Sequence, residues 1–328
     1  MTENNKPQAS ANEQEQSGAF SDALKASREK AEGTQEAAAP TRTLWSDAWK
    51  RLKKNKLAVI GAVWIVFVVL VALTADLWAP QLLGSPTDID TTTVAQSSKL
   101  PPSLEHPFGT DATGRDQLVR VIYGARVSLT VGVIATLIST VIGLVMGALA
   151  AFYGGWFDTI IMRLADMFLA IPYTLFVITM LAVMGQGIQN VFIAIGVLGW
   201  PSIARVFRSA ILSVKENDYV DAARAMGASD LRIIARHIFP NSVASIVVYA
   251  TMNIGGAILT ESALSYLGMG VTPPTPSWGI MIQDGQTFLQ TQPWLMIMPG
   301  LAILTTVLAF TLLGDGLRDA LDVKMKDA

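Results

Sequence analysis

The sequence predicts an all-α membrane protein with six spans. Three observations carry that reading: 51% of the 328 residues are apolar, only 15% are charged, and the apolar residues gather in long runs free of Asp, Glu, Lys and Arg. Soluble domains carry about 25% charge, so a chain with a mean hydropathy of +0.43 lacks the charge to cover a water-facing surface of its size. The 24 basic and 26 acidic side chains nearly balance, which argues against nucleic acid as a partner. Without cysteine there is no disulfide framework, thiolate metal site or cysteine nucleophile.

Residues 1 to 43 are rich in Glu, Gln, Asn, Ser and Ala without a sustained apolar period, and read as a disordered tail. No signal peptide is expected, because the first apolar run begins only at Leu57 and no small-residue cleavage pattern follows it. In residues 44 to 56, Trp45, Trp49 and Leu52 form a stripe opposite the lysines, which suits an interfacial helix lying on membrane lipid. Leu57 to Ala75 is uncharged over 19 residues, about 28 Å of helix, close to the hydrocarbon thickness of a bilayer. Further uncharged runs cover Val127 to Phe157, Met167 to Ala204, His237 to Leu259 and Gly285 to Gly314. Gly185-Gln186-Gly187 divides the longest of these into two helices joined by a turn. The spans are expected near residues 57–78, 128–152, 164–184, 188–204, 243–262 and 293–313, inside one membrane domain of residues 57–322.

Lys50, Arg51, Lys53, Lys54 and Lys56 precede the first span and place the amino end in the cytoplasm. Six spans then put Arg163, the six Lys or Arg of residues 205–242, and Arg318, Lys324 and Lys326 of the carboxyl end on the same side. Lys99, Arg115, Arg120 and Arg126 fall outside, against the bias. The segment Asp116 to Arg126 is expected as a helix along the surface, with Arg126 snorkelling to headgroups.

Within the loop expected at residues 205–242, the polar interruption Lys215 to Asn241 is unusually long for a mere connector. Asn217 or Asp218 can cap a short helix through Tyr219, Val220, Asp221, Ala222, Ala223, Arg224, Ala225 and Met226, which Gly227 can end in the left-handed conformation. Ser229 can start a second helix, Asp230 to Ile238, before Pro240 prevents simple continuation into span five. The result is a helix-turn-helix elbow whose alanines permit close approach by another protein.

Asp221-Ala222-Ala223, Gly227 and His237-Ile238-Phe239-Pro240 resemble, in type and spacing, the "EAA" loop of permease subunits in binding-protein-dependent ABC importers. Asp221 stands for the usual Glu, His237 for Ile and Phe239 for Leu. Phe108-Gly109-Thr110-Asp111, Gly114-Arg115-Asp116, Gly124 to Leu129, Ser265 to Gly270, Ser277-Trp278-Gly279 and Gly314 to Asp319 resemble the dipeptide, oligopeptide and nickel branch, in its second permease subunit. The resemblance covers roughly residues 44 to 322. It implies a type I importer permease fold, a homologous second permease, two ABC ATPase subunits and an extracytoplasmic substrate-binding protein. The chain contains no G-x-x-x-x-G-K-[ST] loop, so it is not read as an enzyme, and ATP with Mg is expected on the partner ATPases. In the family the loop helix docks in a groove of the ATPase; Tyr219, Asp221, Ala222, Ala223, Arg224, Gly227, His237 and Pro240 are the coupling candidates here.

Asn253, in mid-span, either lines the translocation path or hydrogen-bonds a neighbouring helix. Asp166 and Glu261 lie near expected span ends, where a carboxylate reaches water; contact with substrate is the alternative for each. His106 and His237 fall on opposite sides of the membrane and cannot share a metal. Gly143 and Gly147 have small-residue spacing for close helix contact. An intramembrane protease would need a Ser-His pair or two embedded aspartates, which the pattern does not offer. An autonomous secondary carrier would show internal repeats and broken helices around midplane ionisable groups. The expected activity is ATP-driven import of di- or oligopeptides, with nickel as the alternative cargo.

Overall fold

A computed structural model describes residues 44 to 89 and 94 to 321. The expected tail, the carboxyl end with Lys324 and Lys326, and the side chains of Trp45, Leu231, His237 and Asn241 lie outside the described residues. Ala48–Ala328 forms one compact unit, and residues 44 to 47 belong to a separate one.

Helix α1 (Leu44–Lys54) ends in a basic turn of Arg51, Lys53 and Lys54, with the Lys53 ammonium 5.0 Å from the exposed Trp49 ring. Asn55 interrupts it and caps α2 (Lys56–Leu83), its side chain accepting the Ala58 N–H at 3.2 Å. Helix α2 is apolar all round yet leaves Ile60, Val63, Phe67, Leu70 and Leu73 exposed, the surface of a helix solvated by lipid. After the short α3 (Val94–Ser97), Asp116 caps α4 (Gln117–Tyr153) by accepting the Val119 N–H at 3.1 Å.

Helix α4 is the central post, and its main partner is α7 (Ile188–Lys215). The two backbones meet along a glycine seam. A Cβ on Gly143 would lie 2.7 Å from Ile203, one on Gly147 2.7 Å from the Ala204 carbonyl, and one on Gly196 2.9 Å from the Ala135 carbonyl. The Gly143 and Gly147 spacing therefore serves packing within this chain.

Helices α5 (Gly155–Ala170) and α6 (Tyr173–Met184) stand where span three was expected, but bend by 88° at their junction. Pro172 lacks an N–H and holds Ile171 in an extended conformation, so the helix breaks there. The remaining elements are α8 (Asp218–Ala225), α9 (Asp230–Ile233), a π-helical turn (Ile234–Ile238), α10 (Phe239–Tyr266), α11 (Trp278–Gly285) and α12 (Trp294–Leu321). Among the described residues five helices are long and apolar enough to cross a membrane, or six if the bent pair counts as one.

Four expectations need correction. The helix of span four does not stop near residue 204: α7 runs on to Lys215, so nearly the first third of the expected loop is helix. Asp116 to Arg126 is no separate surface helix but the cap and opening turns of α4. Arg126 does not snorkel, since it pairs with Asp76 of α2 at 2.8 Å and donates to the α2 carbonyls of Ala72 and Leu73. Pro240 does not stop the chain before span five. It sits in the first turn of α10, and the preceding π turn, with the Phe239 N–H reaching back to the Ile234 carbonyl, carries the helix past it.

Candidate functional site

Three groups of residues stand out: an elbow at one end of the bundle, a cavity between its helices, and a charged cluster at the other end. The elbow begins where α7 stops. Asn217 takes the N-cap backbone position of α8, but its side chain donates to the Ser213 and Val214 carbonyls, closing α7 instead of capping α8. Lys215 donates to the Phe152 and Ala151 carbonyls at 2.8 and 3.3 Å, so the end of α7 also closes the end of α4.

At the far end of α8 the Gly227 N–H donates to the Arg224 carbonyl and the Ala228 N–H to the Ala223 carbonyl, with Gly227 at φ +80°. This pair of bonds is a Schellman motif, and it requires the left-handed residue that glycine supplies. The inner face of α8, Val220 and Ala223, is buried with Phe207, Ile211, Ile233 and Ile238. The outer face exposes Tyr219, Asp221, Ala222, Arg224 and Met226, with Arg224 donating to Asp221 at 3.0 Å. Ala223, one of the coupling candidates, therefore anchors the elbow to the bundle instead of facing outward. Pro240 is exposed at the foot of α10, while the His237 side chain lies outside the described residues.

A cavity of about 270 Å³ lies between α4, α6, α7 and α10, lined by Thr136, Ser139, Tyr173, Ser202, Asn253 and Thr260 among others. Asn253 faces this space while its amide donates to the Tyr249 carbonyl of its own helix at 2.8 Å. The Thr136 hydroxyl is buried beside it without a protein partner. Glu261 is not in the cavity and is not solvated, contrary to expectation. It is fully buried, accepting from Ser265 at 2.7 Å and from Ser128 of α4 at 2.8 Å. Those hydroxyls replace the water that a carboxylate at a span end would otherwise seek. Asp166 meets Arg205 across α5 and α7, as Asp158 meets Arg208 at 2.5 and 2.6 Å.

At the opposite end Asp111 gathers a loop around itself. Its Oδ1 accepts the Thr113 N–H and hydroxyl at 2.8 Å each and the Arg115 N–H at 3.0 Å; its Oδ2 accepts Arg115 Nε at 2.8 Å and Arg120 Nη1. Arg120 also lies 3.6 Å from Asp284 of α11. Burial pushes the Asp111 carboxyl up, but the Arg120 and Arg115 guanidiniums prevail and hold it below the usual carboxylate range. For Asp284 burial wins over the same two arginines and its value rises. His106 closes the loop through Asp116 at 2.8 Å.

Two family models match the chain. Residues 128–327 match the binding-protein-dependent transport system inner membrane component, and residues 43–102 match the N-terminal transmembrane domain of oligopeptide transport permease C. The chain belongs to this permease family.

The permease is 44% identical over 283 residues to the dipeptide transport system permease protein DppC of Alkalihalophilus pseudofirmus, covering 86% of this chain and 90% of that one. It is 43% identical over 285 residues to the glutathione transport system permease protein GsiD of Escherichia coli, covering 87% and 92%. In fold it is similar to a chain of the inward-facing MetNI methionine ABC transporter, with a TM-score of 0.52, 20% identity, and coverage of 62% of the permease and 96% of that chain. The all-helical, multi-pass importer-permease architecture is thus established. Sequence reasoning had brought the elbow residues together, but it missed the Asp111, Arg120 and Asp284 cluster. The signal was present in Gly109-Thr110-Asp111 and Gly114-Arg115-Asp116, where aspartates beside glycines form side-chain-closed turns.

Proposed function

We propose that this permease is one of two homologous membrane halves of an ATP-driven importer of short peptides. A substrate-binding protein outside delivers cargo, and two ABC ATPases in the cytoplasm bind ATP and Mg. The amino and carboxyl ends face the cytoplasm, in keeping with the basic residues before α2 and around the elbow. The observation that carries the reading is the elbow: its inner face is locked to α4 and α7, while its outer face is exposed, with Asp221 and Arg224 beside Ala222 and Met226. A push on α8 reaches α7 through Glu216 and Asn217, α4 through Lys215, and α10 through the π turn. ATPase closure would thereby tilt the helices that bound the cavity at Asn253 and exchange inward for outward access.

The peptide reading draws on the dipeptide and glutathione relatives, whose named cargoes both carry amide bonds and free carboxylates. Uptake by vesicles containing the co-purified complex tests it. Dialanine accumulation that requires internal ATP supports the proposal; nickel accumulation without dialanine uptake overturns the cargo. Asp221→Arg tests the elbow. Asp221 is largely exposed, so the exchange costs the fold the first-turn dipole interaction, about 0.3–1 kcal/mol, and the exposed pair with Arg224, about 0.2–0.5 kcal/mol more. Membrane insertion should be unchanged while ATPase recovery on the tagged permease falls several-fold. Equal recovery would remove Asp221 from the contact.

A further inference from the structure

The outer charge cluster borders a cavity of about 260 Å³ that the coupling mechanism does not use. That volume is below the range of about 300–1,000 Å³ for drug-sized sites, so it suits one end of a small molecule rather than a whole cargo. Asp111 has committed both oxygens to its own loop. Arg120 has not been used up. Its side chain is only 4% exposed, its Nε is buried with no hydrogen-bond partner, and its Nη2 stands 3.6 Å from Asp284, beyond hydrogen-bond reach. A buried guanidinium left short of acceptors is costly, and Arg120 lines this cavity. Arg115 lines it too, and of its guanidinium only Nε is hydrogen-bonded among the described residues. The cavity therefore offers unfilled N–H donors from two arginines, Nη2 of Arg120 and the Nη groups of Arg115, which suit a carboxylate. Ile280, Met281 and Leu295 form an apolar wall beside them.

Resting on the peptide reading above, we propose that this cavity binds the C-terminal carboxylate of a short peptide on Arg115 and Arg120, with the last side chain against Ile280, Met281 and Leu295. Asp284 is the competitor for the same donors, half exposed and free to swing aside. Its removal should tighten binding, which a purely structural role for the cluster would not produce.

The permease has no cysteine, so a single reporter can be placed on the rim. Thr275→Cys lies on the exposed lip of the cavity, and Ala112→Cys is a second reporter should the first impair assembly. In the assembled transporter, each is reacted with anionic sulfonatoethyl and cationic trimethylammonioethyl methanethiosulfonate. Modification is read on this chain by mass, with the fully exposed Leu104→Cys as reference. The anion-to-cation rate ratio should exceed the reference, rise several-fold with Asp284→Asn, which leaves two arginines facing one aspartate, and fall with Arg115→Gln. Saturating dialanine should slow the reaction, and dialanine amide should not. A ratio at or below the reference overturns the site whatever the cargo. Dialanine uptake without protection overturns it while leaving the peptide reading intact, and protection by the loaded delivery protein alone overturns it in favour of a docking contact. Absence of dialanine uptake counts against the peptide reading instead.

Discussion

Asp111→Ala is expected to destabilise the permease by about 3–5 kcal/mol, the cost of breaking a buried ion pair by removing one partner. Asp111 is largely buried and receives five donors, two of them from guanidiniums. Its loss leaves Arg120 with only Asp284 at 3.6 Å. Thermal unfolding of the purified complex measures the effect. Asp111→Asn should fall between, because the amide oxygen still accepts from the loop while the charge is gone. A loss under about 1 kcal/mol would mean that water screens the cluster as it does a surface pair.

The pH dependence has a definite sign. The lowered value of Asp111 gives stability that is present above its ordinary 3.8 and is lost as pH falls through the lower folded value. Asp284, raised, contributes in the opposite sense: its share is full below 3.8 and is lost as pH rises through its folded value. Asp111→Ala should therefore flatten the acid limb of a stability profile, and Asp284→Asn should raise stability near neutrality.

Gly227→Val is expected to uncouple transport. At φ +80° a β-branched residue is strained by about 1–2 kcal/mol or more, yet a Cβ there meets nothing within 4 Å. The cost is therefore confined to backbone conformation and falls on the motif that turns α8 back toward α9. Expression and membrane insertion should stay normal while ATP-driven uptake drops about tenfold, following the shift in elbow population. Gly227→Asn, which tolerates the left-handed region, should retain most activity. Full uptake with valine would show that the elbow does not need its present shape.

The spans and the elbow were legible for the same reason: both depend on short-range chemistry. Runs of uncharged residues, an asparagine or aspartate before a helix, and a glycine after it act within a few positions. Two of the departures turn on a residue distant in sequence. Arg126 reads as a headgroup ligand until Asp76, far away in sequence, proves to face it. Glu261 reads as a solvated end until Ser128 and Ser265 enclose it. The bend at Ile171–Pro172 was available from proline chemistry, but the apolar run around it masked the signal. Pro240 erred the other way: a π turn accommodated a residue that usually ends a helix. The Asp111 cluster was visible as a motif, but its partner Asp284 sits on α11, so the cavity between them could emerge only from the fold.

The most direct test of the account places a photo-crosslinking amino acid at Met226, which is 83% exposed at the tip of the elbow. The permease is irradiated in its native membrane and its covalent partner identified by mass spectrometry. The account predicts a subunit carrying a nucleotide-binding phosphate loop, with yield lost in Asp221→Arg. Capture of lipid alone, with the permease otherwise unpartnered, would contradict it.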